Sequence, residues 1–308
     1  MAGELAIEID GLVKDYGSFR ALDGVDLEVR RGDVFGFLGP NGAGKSTTIR
    51  VLLDLLRPTA GTARVFGQTP LAGGPALRAR IGYLPGELVT DGRRTAGELL
   101  EYLARLRGRG HDRIQPLADR FGLDLTREIR GLSKGNKQKI GVVQVLMHDP
   151  DLLVLDEPTS GLDPLLQHEF LGCVREANEA GATVLLSSHV LSEVEDVAGP
   201  VAIIRSGRIV DVDHVDVLRH RAGQDVVLTF ATPIDPTEFR SIDGVEEVRV
   251  EGSTLTCRLH GEPDALLKLA AAHHVVAWCA ADRELEHLFL DHYRLPADPE
   301  REVRTSGR

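Results

Sequence analysis

The chain has 308 residues, enough for one large domain or two smaller ones with a proper core. Its formal net charge of -11 and pI of about 5.5 argue against a general polyanion binder, so no nucleic-acid partner is expected from the overall field. Cys173, Cys257 and Cys279 are odd in number and widely spaced, with no CxxC pair or zinc-like spacing, which suits a reduced cytosolic protein.

No charged-then-apolar leader opens the sequence, and no apolar run reaches the ~20 residues needed to cross a bilayer, so the chain is expected not to span a membrane by itself. "ELAIEIDGLVKDY" and "GVDLEVRRGD" alternate apolar and polar residues around glycine turns and predict an antiparallel edge. "GDVFGFLG" predicts a short strand running into a glycine-rich turn. "STTIRVLLDLLRP" then places Ile49, Leu52, Leu53 and Leu56 at helical spacing and stops before Pro58. From Thr95 to Met147 the pattern is mostly helical, most clearly in "AGELLEYLARLRG". "DLLVLDEP" and "ATVLLSSH" are the continuous apolar runs of buried parallel strands, with "PLLQHEFLGCVREANEAG" as the crossover helix between them. Around Arg221 to Asp225 the character changes to short alternating strands, "QDVVLTF", "VEEVRVEG" and "STLTCRLHG", with helical "PDALLKLAAAHH" and "ELEHLFLDHY". His273 and His274 fall in the alanine-rich helical stretch, where surface or core packing is favoured over metal ligation. The expected organisation is an α/β phosphate-loop domain over 1–222 with a helical subdomain at about 86–147. A small α+β domain follows over 223–295, then a polar, disordered tail over 296–308.

"GPNGAGKS", Gly39 to Ser46, fits G-x-x-x-x-G-K-[ST] with a strand before it and a helix after it. Its glycines let backbone N–H groups turn inward around phosphate oxygens, and the helix start adds the positive end of its dipole. Lys45 would reach the β- and γ-phosphates, and the Ser46 hydroxyl would ligate Mg²⁺. An unliganded glycine turn is the plain alternative. The strand "LLVLDEP" ends in Asp156, which delivers a carboxylate to the Mg²⁺ side, and Glu157, which can polarise a water for attack on the γ-phosphate. Two strand-end acids capping the next helix would be the plain reading without the phosphate loop. His189 closes the next strand in "SSH", within reach of the same phosphate.

These motifs, with "LSKG" and "SGLD", resemble the ATP-binding cassette (ABC) transporter ATPases over about residues 5 to 220. Gly39–Thr47, Leu132–Asn136, Leu152–Glu157, Ser160–Asp163 and His189 match, in order, that family's phosphate loop, signature, Asp-Glu strand, D-loop and switch histidine. The resemblance implies ATP with Mg²⁺, bound by Tyr16, Gly39, Pro40, Asn41, Gly42, Ala43, Gly44, Lys45, Ser46 and Thr47, with the Tyr16 ring on adenine. An exposed strand tyrosine is the alternative for Tyr16. It also implies that Ser133, Lys134, Gly135, Asn136 and Asp163 face the ATP of a second subunit, most simply another copy of the chain. Lys134 and Asn136 depart from the usual Leu-Ser-Gly-Gly-Gln. The cluster "LSKGNKQK" is read as an anion-facing helix start; a guanine reading fails because Asn136-Lys137 is followed by Gln138-Lys139, and a nucleic-acid patch is the lesser alternative. After "IGYLP" the family's glutamine is replaced by Gly86, then Glu87, and Glu87 is expected to take over the Mg²⁺-sensing contact. Leu285, Glu286, Phe289 and Leu290 in "ADRELEHLFLDHY" look like the tail of the drug-resistance, daunorubicin-exporter subfamily.

The resemblance therefore implies the ATPase subunit of an exporter, peripheral at the cytoplasmic face of the membrane through a separate multi-span permease that docks near Gly86 to Arg130. Substrates would be drug-, antibiotic- or lipid-like. A soluble ABC ATPase acting on ribosomes or DNA is the alternative; it would carry paired cassettes or coiled-coil insertions, neither of which stands here. A small-molecule kinase would have no purpose for the signature and D-loop.

Overall fold

The computed structural model describes residues 4–87 and 92–282. The chain divides between His214 and Val215 into two compact units. The division falls one helix before the change in composition, because that change begins only with the strand after the helix Val215–Ala222.

The first unit opens with β1 (Leu5–Tyr16) and β2 (Phe19–Arg30), paired antiparallel from Leu5↔Arg30 to Tyr16↔Phe19. Then come β3 (Val34–Leu38), α1 (Lys45–Leu52) and β4 (Ala60–Val65), which completes a three-stranded sheet of order β2-β1-β4. Helix α2 (Pro70–Ala79) leads to β5 (Ile81–Leu84), and α3 (Ala96–Arg107), α4 (His111–Arg120) and α5 (Lys134–Leu146) form the helical part. The chain returns through β6 (Leu152–Asp156), α6 (Pro164–Glu179), β7 (Thr183–Ser188), α7 (Leu191–Glu195), β8 (Pro200–Arg205) and β9 (Arg208–His214). The second sheet has the order β5-β6-β7-β3-β8-β9, parallel except for the last strand.

Every residue of β3, β6 and β7 is buried, as an apolar run covered on both faces must be. β2 instead turns Val25, Leu27 and Val29 inward and Asp26, Glu28 and Arg30 outward, so it is covered on one face. Ile49 and Leu52 of α1 join Leu22, Leu27, Phe35 and Phe37 in one core, which fixes the helix between the two sheets. The helix is shorter than its spacing predicts. It ends at Leu52 because Asp54 turns left-handed at φ 63°, where its carboxylate pairs with Arg57 at 3.0 Å and Arg78 at 3.5 Å. α3 starts where Thr95 Oγ1 accepts from Glu98 N at 3.1 Å and Glu98 Oε2 accepts from Thr95 N at 2.8 Å, a reciprocal cap.

His148, just beyond α5, is 2 % exposed, and Nδ1 donates to the Gln144 carbonyl at 3.1 Å. Burial first, then the Arg107 guanidinium, pushes its pKa down to about 4 from 6.5. The unfolded chain therefore takes up this proton first. The stabilising contribution is whole above pH 6.5 and is lost as pH falls towards 4, up to about 3 kcal/mol in all. Urea midpoints at pH 7.5 and pH 5 should fall apart in the native chain and converge in His148→Leu.

The second unit begins with α8 (Val215–Ala222) and continues β10 (Gln224–Phe230), α9 (Pro236–Arg240), β11 (Val245–Glu251), β12 (Thr254–Leu259), α10 (Asp264–Ala271) and β13 (Val275–Asp282). All pairings are antiparallel in the order β11-β12-β10-β13, so β10 to β13 make the β-α-β-β-α-β ferredoxin-like arrangement. Leu228, Phe230, Phe239, Leu255, Leu259 and Leu266 fill its core. His273 and His274 lie past the end of α10, not inside it, and the His273 ring stands 5.8 Å from Phe230 and 6.0 Å from Phe239. The tail motif Leu285–Leu290 and residues 296–308 lie outside the described residues.

Candidate functional site

Strands β6, β7 and β3 are neighbours, and their carboxyl ends come out side by side, with Asp156 opposite Ser187 and Leu38 opposite Ser188. In an open parallel sheet the crevice beyond these ends is where a ligand sits. Three predicted motifs converge there because each directly follows one of the three strands.

The phosphate loop leaves β3 at Gly39 and enters α1 at Lys45. Gly39 has no room for a side chain: a Cβ would stand 2.4 Å from the Ile204 carbonyl oxygen. Gly44 precedes the helix at φ 119° with no side-chain cap, leaving the first α1 N–H groups free for an anion. Ala43 O accepts from Gly207 N at 2.8 Å, and Gly207 O accepts from Asp23 N at 2.8 Å, so the β8–β9 turn and β2 hold the loop from behind. The Lys45 ammonium folds back into the loop, donating to the Gly39 carbonyl and, at 3.3 Å, to that of Pro40.

Lys45 Nζ also lies 3.1 Å from Glu157 Oε1, with the lysine side chain only 5 % exposed. The pair is close but not aligned for a hydrogen bond, and among the described residues buried Oε1 has no donor. The other carboxylate oxygen, Oε2, accepts from His189 Nδ1. Glu157 sits at φ 50°, a left-handed conformation that costs a non-glycine residue about 1–3 kcal/mol and is met where a site over-determines the backbone. Asp156 is 5 % exposed, and its Oδ1 accepts from Ser187 Oγ at 2.7 Å. Tyr83 on β5 is raised above the usual phenol value by burial and then by the Asp156 charge.

A pocket of about 240 Å³ opens over this loop, lined by Tyr16, Phe19, Ala21, Pro40, Asn41, Gly42, Gly44, Lys45, Ser46, Thr47 and Glu157. Tyr16 and Phe19 pair across the β1–β2 turn at its rim, with Lys14 Nζ 5.2 Å from the Tyr16 ring. Phe19 was missed by sequence reasoning; an aromatic three residues after Tyr16 across a Gly-Ser turn was the available signal. A larger cavity of about 300 Å³, lined among others by Arg113, Arg120, Cys173 and Glu176, contains none of the motif residues. Its guanidinium groups are already spent, since Arg113 pairs with Asp149 and Arg120 bonds Glu169 and, at 2.6 and 2.7 Å, Glu176. Chemistry therefore places the site at the smaller pocket.

Ser133 caps α5, its Oγ accepting from Asn136 N at 3.3 Å, and Lys134 reaches over Gly161 so that Nζ lies 3.4 Å from Ser160 Oγ. Gly135 packs directly on the D-loop: a Cβ there would meet the Gly161 carbonyl oxygen at 2.6 Å. Gln138, 2 % exposed and outside the predicted set, donates to the Pro158 carbonyl at 2.8 Å. Asp163 caps α6 through Leu166 N at 3.0 Å. The signature helix is thus fastened to the segment following Glu157 in its own chain. Gly86 lies against the end of β6, where a Cβ would stand 3.0 Å from Asp156 O and 3.3 Å from Glu157 Cβ, while Glu87 is exposed.

A backbone cradle opening a helix, with a buried lysine and a strand-end Asp-Glu pair, defines a phosphate-loop nucleoside triphosphatase. The family model described as ABC transporter matches residues 22–160. The daunorubicin/doxorubicin resistance ATP-binding protein of Streptomyces peucetius is 41 % identical over 228 residues, covering 72 % of this chain and 69 % of that one. The bacitracin transport ATP-binding protein of Bacillus licheniformis is 37 % identical over 219 residues, covering 70 % and 72 %. A solved ATP binding subunit of an ABC transporter superposes with a TM-score of 0.65 at 33 % identity, over 70 % of this chain and 92 % of that one. The chain belongs to the ATP-binding subunits of ABC transporters and is an ATPase.

Proposed function

We propose that two copies of this chain sandwich two ATP molecules and drive a separate multi-span permease that exports drug-, antibiotic- or lipid-like molecules. One observation carries the two-chain reading. Among the described residues, the pocket over the phosphate loop is lined by Lys45 and Glu157 but by none of Ser133–Asn136. The helix start of α5 is an anion site with no anion partner in its own pocket, and a second copy supplies one. Export is supported by the resistance and transport relatives. Among the described residues no helix is long and apolar enough to cross a membrane. In this reading the translocation path is a separate permease, at whose cytoplasmic face the chain works.

In this reading Tyr16 and Phe19 stack on the base, and the Gly42–Thr47 N–H groups cradle the phosphates. Lys45 exchanges the Gly39 and Pro40 carbonyls for phosphate oxygens. Glu157, released from Lys45, orients a water through Oε1, and His189 holds Oε2 and contacts the γ-phosphate. The donor set beside it, the Ser46 hydroxyl and the buried Asp156 carboxylate, consists of hard oxygens and fits Mg²⁺, with Glu87 as the third proposed oxygen. The ion, when bound, neutralises developing phosphate charge. Ser133, Lys134, Gly135, Asn136 and Asp163 face the second chain's nucleotide.

The test is purification of the full chain from detergent-solubilised membranes. A multi-span protein should co-purify and alter ATP turnover when reconstituted with the chain. Turnover that instead follows ribosomes or DNA, with no membrane protein retained, would favour the soluble class.

A further inference from the structure

Glu193 lies outside every motif above, yet both of its carboxylate oxygens are committed. Oε1 accepts from Thr159 Oγ1 at 2.6 Å, and Oε2 accepts from Ser188 Oγ at 2.8 Å. Both hydroxyls are buried, Thr159 at 3 % exposure and Ser188 at 0 %. Thr159 stands two residues after Glu157, and Ser188 immediately precedes His189. One carboxylate therefore spans the two loops that carry the acid and the histidine.

The strands alone fix these loops only up to their last paired residues. Asp156 lies opposite Ser187, Leu38 lies opposite Ser188, and Glu157 N donates to Ser187 O at 3.0 Å; beyond these residues the ladders end. At that last paired residue Ser188 Oγ accepts from Val190 N at 2.9 Å, so the hydroxyl bonded to Glu193 also pins the backbone on the far side of His189. On the other loop, Ser160 N donates to Glu157 O at 3.2 Å, a tight turn closed around Thr159. Glu193 itself is firmly mounted. Its neighbour Val194 is fully buried, and a Cβ added to Gly36 of β3 would stand 2.3 Å from Val194 Cγ1. The carboxylate is thereby referenced to the strand that enters the phosphate loop.

We infer that Glu193 is a positioning residue for ATP hydrolysis: it clamps the Glu157 and His189 loops to each other and to β3. The role rests on the reading of Glu157 and His189 as the groups at the γ-phosphate. The clamp needs two polar atoms on one side chain, and the carboxylate supplies them as two acceptors. Two O–H donors converge on one side chain, and the 2.6 Å separation falls in the range of a charge-assisted O–H···O⁻ bond. Glutamine can keep both links, accepting with Oε1 and donating from Nε2 to the other hydroxyl oxygen. Alanine keeps neither, and leaves two buried hydroxyls without their acceptor.

The test measures ATP turnover and thermal midpoints of the full-length chain. Because a small displacement of a reacting group is costly, Glu193→Ala should lower kcat by about tenfold or more with KM for ATP within about twofold, and Glu193→Gln should restore most of the loss. Thr159→Val and Ser188→Ala should each lower kcat, and neither should lower it further on top of Glu193→Ala. Without nucleotide, the effects of Thr159→Val and Ser188→Ala on the thermal midpoint should be coupled in the native background and additive in Glu193→Ala. Additive effects in the native background would overturn the bridge. Native kcat in Glu193→Ala, or a joint loss of kcat, KM and midpoint that glutamine does not restore, would overturn the positioning role. Native turnover in Glu157→Gln would instead remove the reading beneath it while leaving the nucleotide-free cycle to judge the bridge.

Discussion

Glu157→Gln is expected to lower kcat about a thousandfold, in the middle of the range a general base contributes, while ATP binding survives. The two halves of that expectation have different causes. Glutamine is nearly isosteric, so the left-handed backbone at φ 50° and the packing against Gly86 are kept. Its Oε1 can still accept from His189 Nδ1, as the carboxylate does now. What is lost is the negative oxygen that Lys45 approaches at 3.1 Å and that no hydrogen-bond donor among the described residues satisfies. Such an atom is suited to a water, and an amide nitrogen in its place donates where an acceptor is needed. With hydrolysis blocked, two chains joined across ATP have no route apart except nucleotide release. Size-exclusion chromatography should show an ATP-dependent dimer in Glu157→Gln and a monomer in the native chain after turnover. Phosphate release at the native rate would end the assignment of Glu157 as base, whatever the dimer does.

The parts of this site that were readable in advance are those where burial and backbone geometry both constrain residue type. Leu152–Asp156 and Thr183–Ser188 are all-buried parallel strands, so continuous apolar runs announce them, and the acids and histidine at their ends stand out by contrast. The glycines at 39 and 44 are needed for close approach and positive φ, and only glycine meets that demand cheaply. The contacts that hold the motifs to each other were not readable. Gln138 on Pro158, Ser187 on Asp156 and Lys134 over the D-loop are pairings between segments far apart in sequence, and ordinary polar residues make them. Strand β13 escaped for a related reason. "VVAWCAAD" carries helix-favouring alanines, and it becomes a strand because β10 pairs with it from Gln224↔Asp282 to Phe230↔Val275. Elements as short as Ile81–Leu84 give too few residues for a period to show.

Lys45→Met carries the second large effect, and it should appear in two unlike measurements. Turnover should fall about a hundred- to a thousandfold, the scale lost when one preorganised charge at a developing oxyanion is removed. The nucleotide-free chain should also become less stable, because the same ammonium serves the empty loop. It is the donor to the Gly39 and Pro40 carbonyls and the cation beside Glu157, in a position 5 % exposed. Methionine matches its length but leaves the carbonyls without this donor and Glu157 with His189 alone. Removing one member of a buried pair costs about 3 kcal/mol, because the remaining charge is stranded. Glu157→Gln removes that stranded charge, so Lys45→Met in the Glu157→Gln background should cost clearly less than in the native chain. Thermal midpoints of the four species close this cycle. Equal costs in the two backgrounds would mean that Lys45 and Glu157 are neighbours without being coupled. Lys45 would then bind phosphate without first having to give up Glu157, and ATP binding could not be what frees the base.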